Sequence, residues 1–165
     1  MKLYNKKIGD IKEISKLTDE KNFLSEINLV RKELYMTKKL ELYRCEICGN
    51  LVEVVLEGAG ELVCCGEAMT RLEANTTEAD GEKHLPVFIS SNDEIEVRVG
   101  SKPHPMIKEH YIQFIECVSK DEVYVKRKYL HPDEEPMLRL KCYDVGKMSA
   151  KEYCNVHGLW ESEHD

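Results

Sequence analysis

Apolar and polar residues alternate along much of the chain beyond residue 85, and this period of two predicts short β-strands. Ile95, Val97 and Val99 are separated by charged residues, and the same alternation recurs at residues 111–114 and 137–142. Turn-forming residues lie between these runs, at 91–93 and 132–133. Short strands separated by such turns predict a mainly β fold, with a β-sandwich over residues 77–165.

Residues 1–40 follow a different pattern, with apolar positions that recur every three or four residues between 7 and 34. This spacing predicts two short amphipathic helices with a break at Thr18 and Asp19. We favour a helical pair that packs on its own protein or on a second subunit. A truncated helix-turn-helix or a partner-docking element is the alternative, but two helices do not complete a DNA-binding core.

The composition is that of a globular protein, with 42% hydrophobic and 33% charged residues among 165. No run approaches the roughly 18 apolar residues of a membrane span, and the lysine-rich start has no apolar export signal. We therefore expect a cytoplasmic protein without membrane contact, whose seven cysteines stay reduced. The net charge of -7, with a basic excess only in residues 1–40, disfavours nucleic acid as a partner.

Four cysteines lie in the middle segment, residues 41–76, as a Cys45-x2-Cys48 pair and an adjacent Cys64-Cys65 pair. A glycine follows each pair and lets the backbone turn so that its amides can donate to sulfur. Four thiolates on two turns predict a tetrahedral metal site, which could hold iron or zinc. A disulfide between the adjacent cysteines, or two idle thiols, is the alternative. A segment this small needs the metal, together with a dimer contact, for its stability.

A second group of candidate ligands consists of four histidines and one cysteine. A histidine in a strand is usually structural, but His104 lies between two prolines that stiffen its loop. Cys154 and His157 are three residues apart, close enough to bind one ion from one turn. Imidazoles beside a thiolate select a transition metal, and this set favours iron. The five residues are His84, His104, His110, Cys154 and His157.

Four further residues of metal-binding type are placed outside both groups. Cys117 and Cys142 fall on predicted strands and are interpreted as small buried residues. His131 precedes a proline in a predicted turn, and His164 lies in the C-terminal tail.

Taken in order along the chain, these motifs resemble the desulfoferrodoxins, the two-iron form of superoxide reductase. The resemblance covers residues 41–160 and implies a small desulforedoxin-like domain followed by an immunoglobulin-like β-sandwich, in a homodimer. Residues 1–40 depart from the family pattern, which commonly begins shortly before the first cysteine. The motifs are Cys45-x2-Cys48, Cys64-Cys65, Glu82-Lys83-His84, His104-Pro105-Met106, His110 and Cys154-Asn155-x-His157.

The resemblance also implies two iron ions per chain, with zinc as the alternative in the four-cysteine site. The second iron would have the four histidines in a plane and Cys154 in the axial position, which leaves a sixth position for superoxide. Lys83 would guide superoxide and stabilise the bound product, and Glu82 would occupy the sixth position after the product leaves. A rubredoxin-like protein would donate the electron, and the four-cysteine iron would have a structural role rather than relay electrons.

Two other functions compete with superoxide reduction. A non-enzymatic electron carrier would have a saturated metal that binds no added anion. A redox-responsive regulator would combine the basic helices of residues 1–40 with an oxidisable thiolate site. We rank superoxide reduction first and the regulator second.

Overall fold

The structure is a computed structural model that describes residues 36–77, 83–91, 94–141 and 147–164. These residues form β-strands and loops, which confirms the predicted mainly β fold class. The helices predicted between residues 7 and 34 lie outside the described residues, and so do Glu82 and Cys142. Two compact units are divided between Leu72 and Glu73. Within the described ranges, no helix has the length and apolar character needed to cross a membrane.

The first unit is built from very short strands. Its described residues form β1 (Leu42–Arg44), β2 (Leu51–Glu53), β3 (Val63–Cys64), β4 (Glu67–Ala68) and β5 (Thr70–Arg71). β1 is the centre of an antiparallel sheet in the order β2-β1-β5, and β3 pairs with β4 in a separate hairpin. Strands of this length bury few side chains, so the described residues of this unit form only a thin apolar core.

The apolar run at residues 51–56 predicts a strand over its whole length, and the structure forms only its first half. β2 ends at residue 53, and Val55 and Leu56 are exposed. Leu40 has a left-handed φ of 66°, which turns the chain just before β1. Its amide still donates to the carbonyl of Val54 at 2.8 Å, but no strand partner continues beyond that point. The apolar residues 55 and 56 therefore predicted a strand extension that finds no pairing partner among the described residues, because the segment before β1 turns away at Leu40.

The second unit contains two antiparallel sheets. Its described strands are β6 (Pro86–Ser90), β7 (Glu94–Val99), β8 (Ile112–Ser119), β9 (Val125–Tyr129), β10 (Met137–Lys141), β11 (Met148–Cys154) and β12 (Gly158–His164). One sheet has the order β10-β7-β6 and the other the order β12-β11-β8-β9. Buried side chains from both sheets form one apolar cluster, so the sheets pack face to face.

The predicted alternation is confirmed in β7, where Ile95, Val97 and Val99 are buried and contribute to this core. β8 departs from a one-sided pattern because its second face is buried as well. Glu116 lies on that face, fully buried, and pairs with Arg127 of the neighbouring β9. A buried carboxylate needs such a cationic partner, which replaces the hydration that it loses.

Cys117 lies in the core, as predicted, and its burial raises the pKa of its thiol to about 12. A thiol with that pKa is roughly one part in ten thousand thiolate at pH 8, and the thiolate is the reactive form. We therefore expect iodoacetamide to leave Cys117 unlabelled in the folded protein at pH 8 and to label it after unfolding in urea. Mass spectrometry of the Cys117 peptide measures both rates, and equal labelling in the two states would contradict the prediction.

Candidate metal centres

The four cysteines of the first unit converge. Their Sγ atoms all lie within 4.8 Å of one another. The Sγ atom of Cys64 is 3.7 Å from that of Cys48 and 3.9 Å from that of Cys65. Metal–sulfur bonds of about 2.3 Å in a tetrahedron place neighbouring sulfurs about 3.8 Å apart. Cys45 completes the set, which therefore fits a four-thiolate metal site.

Backbone conformation explains how two adjacent cysteines reach the same point. Cys65 has a φ of 54° and Gly66 a φ of 85°, so the chain reverses through two left-handed residues. Without this reversal, neighbouring side chains would point to opposite sides of an extended chain. Gly49, with a φ of 77°, makes the corresponding turn after the first cysteine pair, and its amide donates to the carbonyl of Cys45 at 2.9 Å. The glycines were predicted to turn the chain, but the left-handed Cys65 was not.

Hydrogen bonds distribute the protons within this cluster unequally. The backbone amide of Cys48 lowers the pKa of Cys45 to about 7. Sulfur contacts, with Cys48 first, raise the pKa of Cys65 to about 12. The pKa of Cys64 is also raised, first by its contact with Cys48, although the side-chain amide of Asn50, which donates to the Sγ atom of Cys64 at 3.7 Å, acts in the opposite direction. A bound metal requires four thiolates, so its binding must release the protons that the cluster otherwise holds.

The predicted histidines and Cys154 of the second unit also converge, with their five donor atoms within 4.8 Å of one another. The four imidazole rings form a closed cycle in which each ring packs edge to face against the next. Ring centroids are 4.9 Å apart for His84 and His104, 4.6 Å for His104 and His110, 4.8 Å for His110 and His157, and 4.6 Å for His157 and His84. This cyclic order brings one nitrogen of each ring towards a common centre.

Contacts of the rings indicate which nitrogen each histidine offers. The Nδ1 atom of His104 donates to the carbonyl of Pro105 at 2.5 Å, which leaves its Nε2 atom 3.6 Å from the Sγ atom of Cys154. The Nδ1 atom of His157 lies 2.9 Å from Nε2 of His84 and 3.2 Å from Nε2 of His110. Metal–nitrogen bonds of about 2.0–2.1 Å at right angles place neighbouring nitrogens about 3 Å apart. Three Nε2 atoms and one Nδ1 atom therefore fit one metal ion.

Loops and strand ends carry these ligands. Cys154 is the last residue of β11, and His157 lies in the turn before β12. His104 and His110 belong to the loop between β7 and β8, and His84 comes just before β6. The pairing of β11 with β8 changes register between Tyr153 and Cys154. Such an irregularity redirects a side chain, and here it lies at the thiol ligand.

The centre has a buried side and an exposed side. Cys154 has no solvent exposure and His104 is buried, whereas His157 is exposed. Burial lowers the pKa of His104 to about 4, so its imidazole stays neutral, as a metal ligand must. Burial also raises the pKa of Cys154, while the backbone amides of Val156 and His157 act in the opposite direction and favour the thiolate. A metal at this centre would therefore be covered by protein on the side of Cys154 and His104 and open to solvent on the side of His157.

Two sequence models match almost the whole described chain. A model of the desulfoferrodoxin N-terminal domain matches residues 37–72, and a model named Desulfoferrodoxin matches residues 76–163. The chain belongs to the desulfoferrodoxin family. The predicted resemblance is thereby confirmed, and the two matches meet close to the division between the structural units.

Relatives and solved structures agree with membership of the desulfoferrodoxin family. A desulfoferrodoxin of Syntrophotalea carbinolica is 49% identical over 130 residues, which is 78% of this chain and 99% of that protein. A desulfoferrodoxin homolog of Archaeoglobus fulgidus is 45% identical over 127 residues, or 77% of this chain and 99% of that protein. The crystal structure of the superoxide reductase from Treponema pallidum matches with a TM-score of 0.56 and 25% identity, over 75% of this chain and 97% of that one.

Other predicted site residues of the second unit can be placed as well. Lys83 lies close enough to His110 that its charge adds to the lowering of the His110 pKa, which burial dominates. Glu82 lies outside the described residues, so its role stays a prediction. His131 and His164 are not part of the converging donor set found among the described residues.

Sequence reasoning missed two residues that support the ligands. Trp160 stacks on His84, with ring centroids 4.8 Å apart and an interplanar angle of 15°, and its Nε1 atom donates to the carbonyl of His157 at 3.2 Å. Asn155 bonds to the loop that carries His110. Asn155 lies inside the Cys154-Asn155-x-His157 motif, and its place between two candidate ligands could have indicated a supporting role. Trp160 lies three residues after His157, which predicts a contact only once the turn into β12 is known.

Proposed function

We propose that this chain is a superoxide reductase, which reduces superoxide to hydrogen peroxide at a ferrous centre in the second unit. The observation that carries the proposal is the convergence of four imidazole nitrogens with one buried thiol. The protein from Treponema pallidum and a 35% identical relative from Pyrococcus abyssi, matched over 99 residues, both bear the name superoxide reductase. The ligands would be His84, His104, His110, Cys154 and His157.

The charge of the ligand set suits an anionic substrate. Iron bound by these five residues would supply the one electron that superoxide accepts. Four neutral imidazoles would add no charge to a ferrous ion, and the thiolate of Cys154 would add one negative charge. The centre would therefore keep a net positive charge that attracts a small anion. Superoxide gains one electron and two protons to become hydrogen peroxide, and its oxygen–oxygen bond is kept. The exposed side at His157 gives the anion an approach from solvent.

Lys83 is proposed to raise the rate at which superoxide reaches the centre, because its charge acts at His110. We expect Lys83→Ala to lower the second-order rate constant with superoxide by roughly 3- to 10-fold at low salt, and to weaken its salt dependence. Iron content should not change. Pulse radiolysis at several ionic strengths measures both quantities.

Lys120 offers a matched control for that experiment. It follows β8 at the end opposite Ile112, which pairs with Cys154, so it lies roughly 25 Å along the strand from the centre. Lys120→Ala removes the same charge and should keep the rate of the unaltered protein. A Lys83→Ala rate equal to that of Lys120→Ala would remove Lys83 from the mechanism.

The remaining features of the site are also proposals. We propose iron in both centres, hence two ions per chain, although sulfur spacings near 3.8 Å suit zinc equally in the four-cysteine site. Glu82 is proposed, from the resemblance alone, as the carboxylate that takes the remaining metal position after product release. We also propose a rubredoxin-like electron donor, a homodimer and a cytoplasmic location. The proposed domains are a helical extension at residues 1–40, the four-cysteine domain at 41–76 and an immunoglobulin-like β-sandwich at 77–165.

The product balance tests the proposed activity directly. The protein, pre-reduced and supplied with a reductant, is mixed with superoxide, and peroxide and oxygen are measured per superoxide consumed. One peroxide per superoxide without oxygen is expected for reduction. Half a peroxide with half an oxygen would mean dismutation, and no consumption would favour the electron carrier or the regulator. Either of these results would overturn the proposal.

A further inference from the structure

The side-chain amide of Asn155 bonds to the backbone on both sides of His110. Its Oδ1 atom accepts a hydrogen bond from the amide of Tyr111 at 2.9 Å, and its Nδ2 atom donates to the carbonyl of Glu109 at 3.0 Å. The backbone amide of Asn155 also donates to the carbonyl of Tyr111 at 3.2 Å. Three hydrogen bonds thus join the segment that follows Cys154 to the residues next to His110.

The loop that carries His110 is held internally by a narrow turn. The amide of His110 donates to the carbonyl of Ile107 at 3.0 Å, and the amide of Ile107 donates to the carbonyl of His110 at 3.1 Å. These bonds fix the shape of the turn but not its position relative to the other ligands. The contacts of Asn155 run from the turn to the segment between Cys154 and His157, and they add to the strand pairing of Ile112 with Cys154 in setting that position.

We infer that Asn155 is a positioning residue, which holds the imidazole of His110 at the distance from Cys154 and His157 that one metal ion requires. The inference rests on the proposed function only in taking the centre as an iron site. Asn155 itself touches none of the proposed donor atoms in the contacts described above, so it acts through the backbone around His110. Supporting residues of this kind commonly change metal affinity by about 10- to 100-fold.

The two partners require an amide at this position. The amide of Tyr111 needs an acceptor and the carbonyl of Glu109 needs a donor, and asparagine supplies both from one planar group. Asn155→Asp keeps the size and the acceptor but places an oxygen opposite the carbonyl of Glu109. Asn155→Ala removes both side-chain contacts and leaves the backbone bond to Tyr111. The aspartate variant should therefore be at least as impaired as the alanine variant.

The experiment uses the full chain with iron loaded in both centres and follows transfer of iron to a chelator. We expect both Asn155 variants to lose iron from the histidine–cysteine centre at least about 10-fold faster than the unaltered protein. The sulfur-to-iron charge-transfer absorption of the ferric centre should shift, since one imidazole is displaced. The four-cysteine iron of the same molecule reports on general folding and should be released at an unchanged rate.

Asn50→Asp is the reciprocal control, because Asn50 donates its side-chain amide to Cys64 of the other centre. It should change the four-cysteine absorption and leave iron release from the histidine–cysteine centre unaltered. A double-mutant cycle adds the test of mechanism: in a His110→Ala background, Asn155→Ala should accelerate release by less than about twofold.

Two outcomes would overturn the inference. Release within twofold of the unaltered rate in both Asn155 variants would mean that the contacts do not position His110. A full effect in the His110→Ala background would mean that Asn155 acts on some other part of the centre. Neither readout uses superoxide, so a failed product balance would remove the proposed activity and leave the positioning role of Asn155 to be decided by iron release.

Discussion

Replacement of Cys154 by serine is expected to abolish superoxide reduction while the second unit stays folded. Cys154 has no solvent exposure and supplies the only sulfur among the five converging donors. A serine hydroxyl is a poor ligand that stays protonated, so the centre would lose both a bond and a negative charge. Since loss of an outer partner alone costs about 10- to 100-fold, we expect the rate to fall by more than about 100-fold.

Cys117→Ser provides a matched control, because Cys117 lies in the same apolar core and is buried to a similar degree. Each substitution buries a hydroxyl and should cost a similar free energy of unfolding, about 1–3 kcal/mol. Pulse radiolysis gives the superoxide rate and urea unfolding gives the stability of both variants. A Cys154→Ser protein that reduces superoxide as fast as Cys117→Ser would show that the thiolate is not needed for the reaction.

The two converging groups of candidate ligands could be predicted from sequence because few residue types bind transition metals. Paired cysteines and a histidine–cysteine pair three residues apart limit the choices strongly, whatever the fold around them. Their convergence depends on strands that are distant in sequence, since His84 and His157 are 73 residues apart. The resemblance to the desulfoferrodoxins supplied that long-range information, which no local pattern in this chain contains.

The donor atoms and the supporting residues could not be predicted in the same way. His104 offers Nε2 because its Nδ1 atom donates to the carbonyl of Pro105, and His157 offers Nδ1, which lies 2.9 Å from Nε2 of His84. The contacts of Asn155 with residues 109 and 111 require two loops to be in register. Hydrogen bonds of this kind are specific to one arrangement of the chain, so residue type alone does not identify them.

Strands were predicted correctly where their apolar residues pack against a second sheet. The prediction was less accurate where the described residues form no second sheet. In β7 the alternating residues Ile95, Val97 and Val99 pack against the opposite sheet, so their period reports the buried face. In the first unit, no described residues form such a layer over Val55 and Leu56, which are exposed. There the left-handed turns at Leu40 and beside the cysteines, rather than the apolar pattern, determine where strands begin and end.

The first unit is expected to depend on its metal for folding. Its described buried apolar residues are few, namely Leu40, Leu42, Cys45 and Val54. A segment that buries so little apolar surface needs a further source of stability in order to fold. Metal binding to comparable cysteine sites contributes on the order of 10 kcal/mol, which is enough to decide whether such a segment folds.

Cys48→Ser should therefore remove the metal from the four-cysteine site and unfold this unit without stopping superoxide reduction. We expect the amides of Leu40, Cys45 and Leu72, which donate to backbone carbonyls, to exchange hydrogen at least about 100-fold faster. Glu46→Ser changes an exposed residue of the same turn and keeps all four thiols, so its exchange should match that of the unaltered protein. Unchanged protection in Cys48→Ser would contradict a structural role. Slower re-reduction of the histidine–cysteine iron, with the fold preserved, would instead mean that the four-cysteine metal passes electrons.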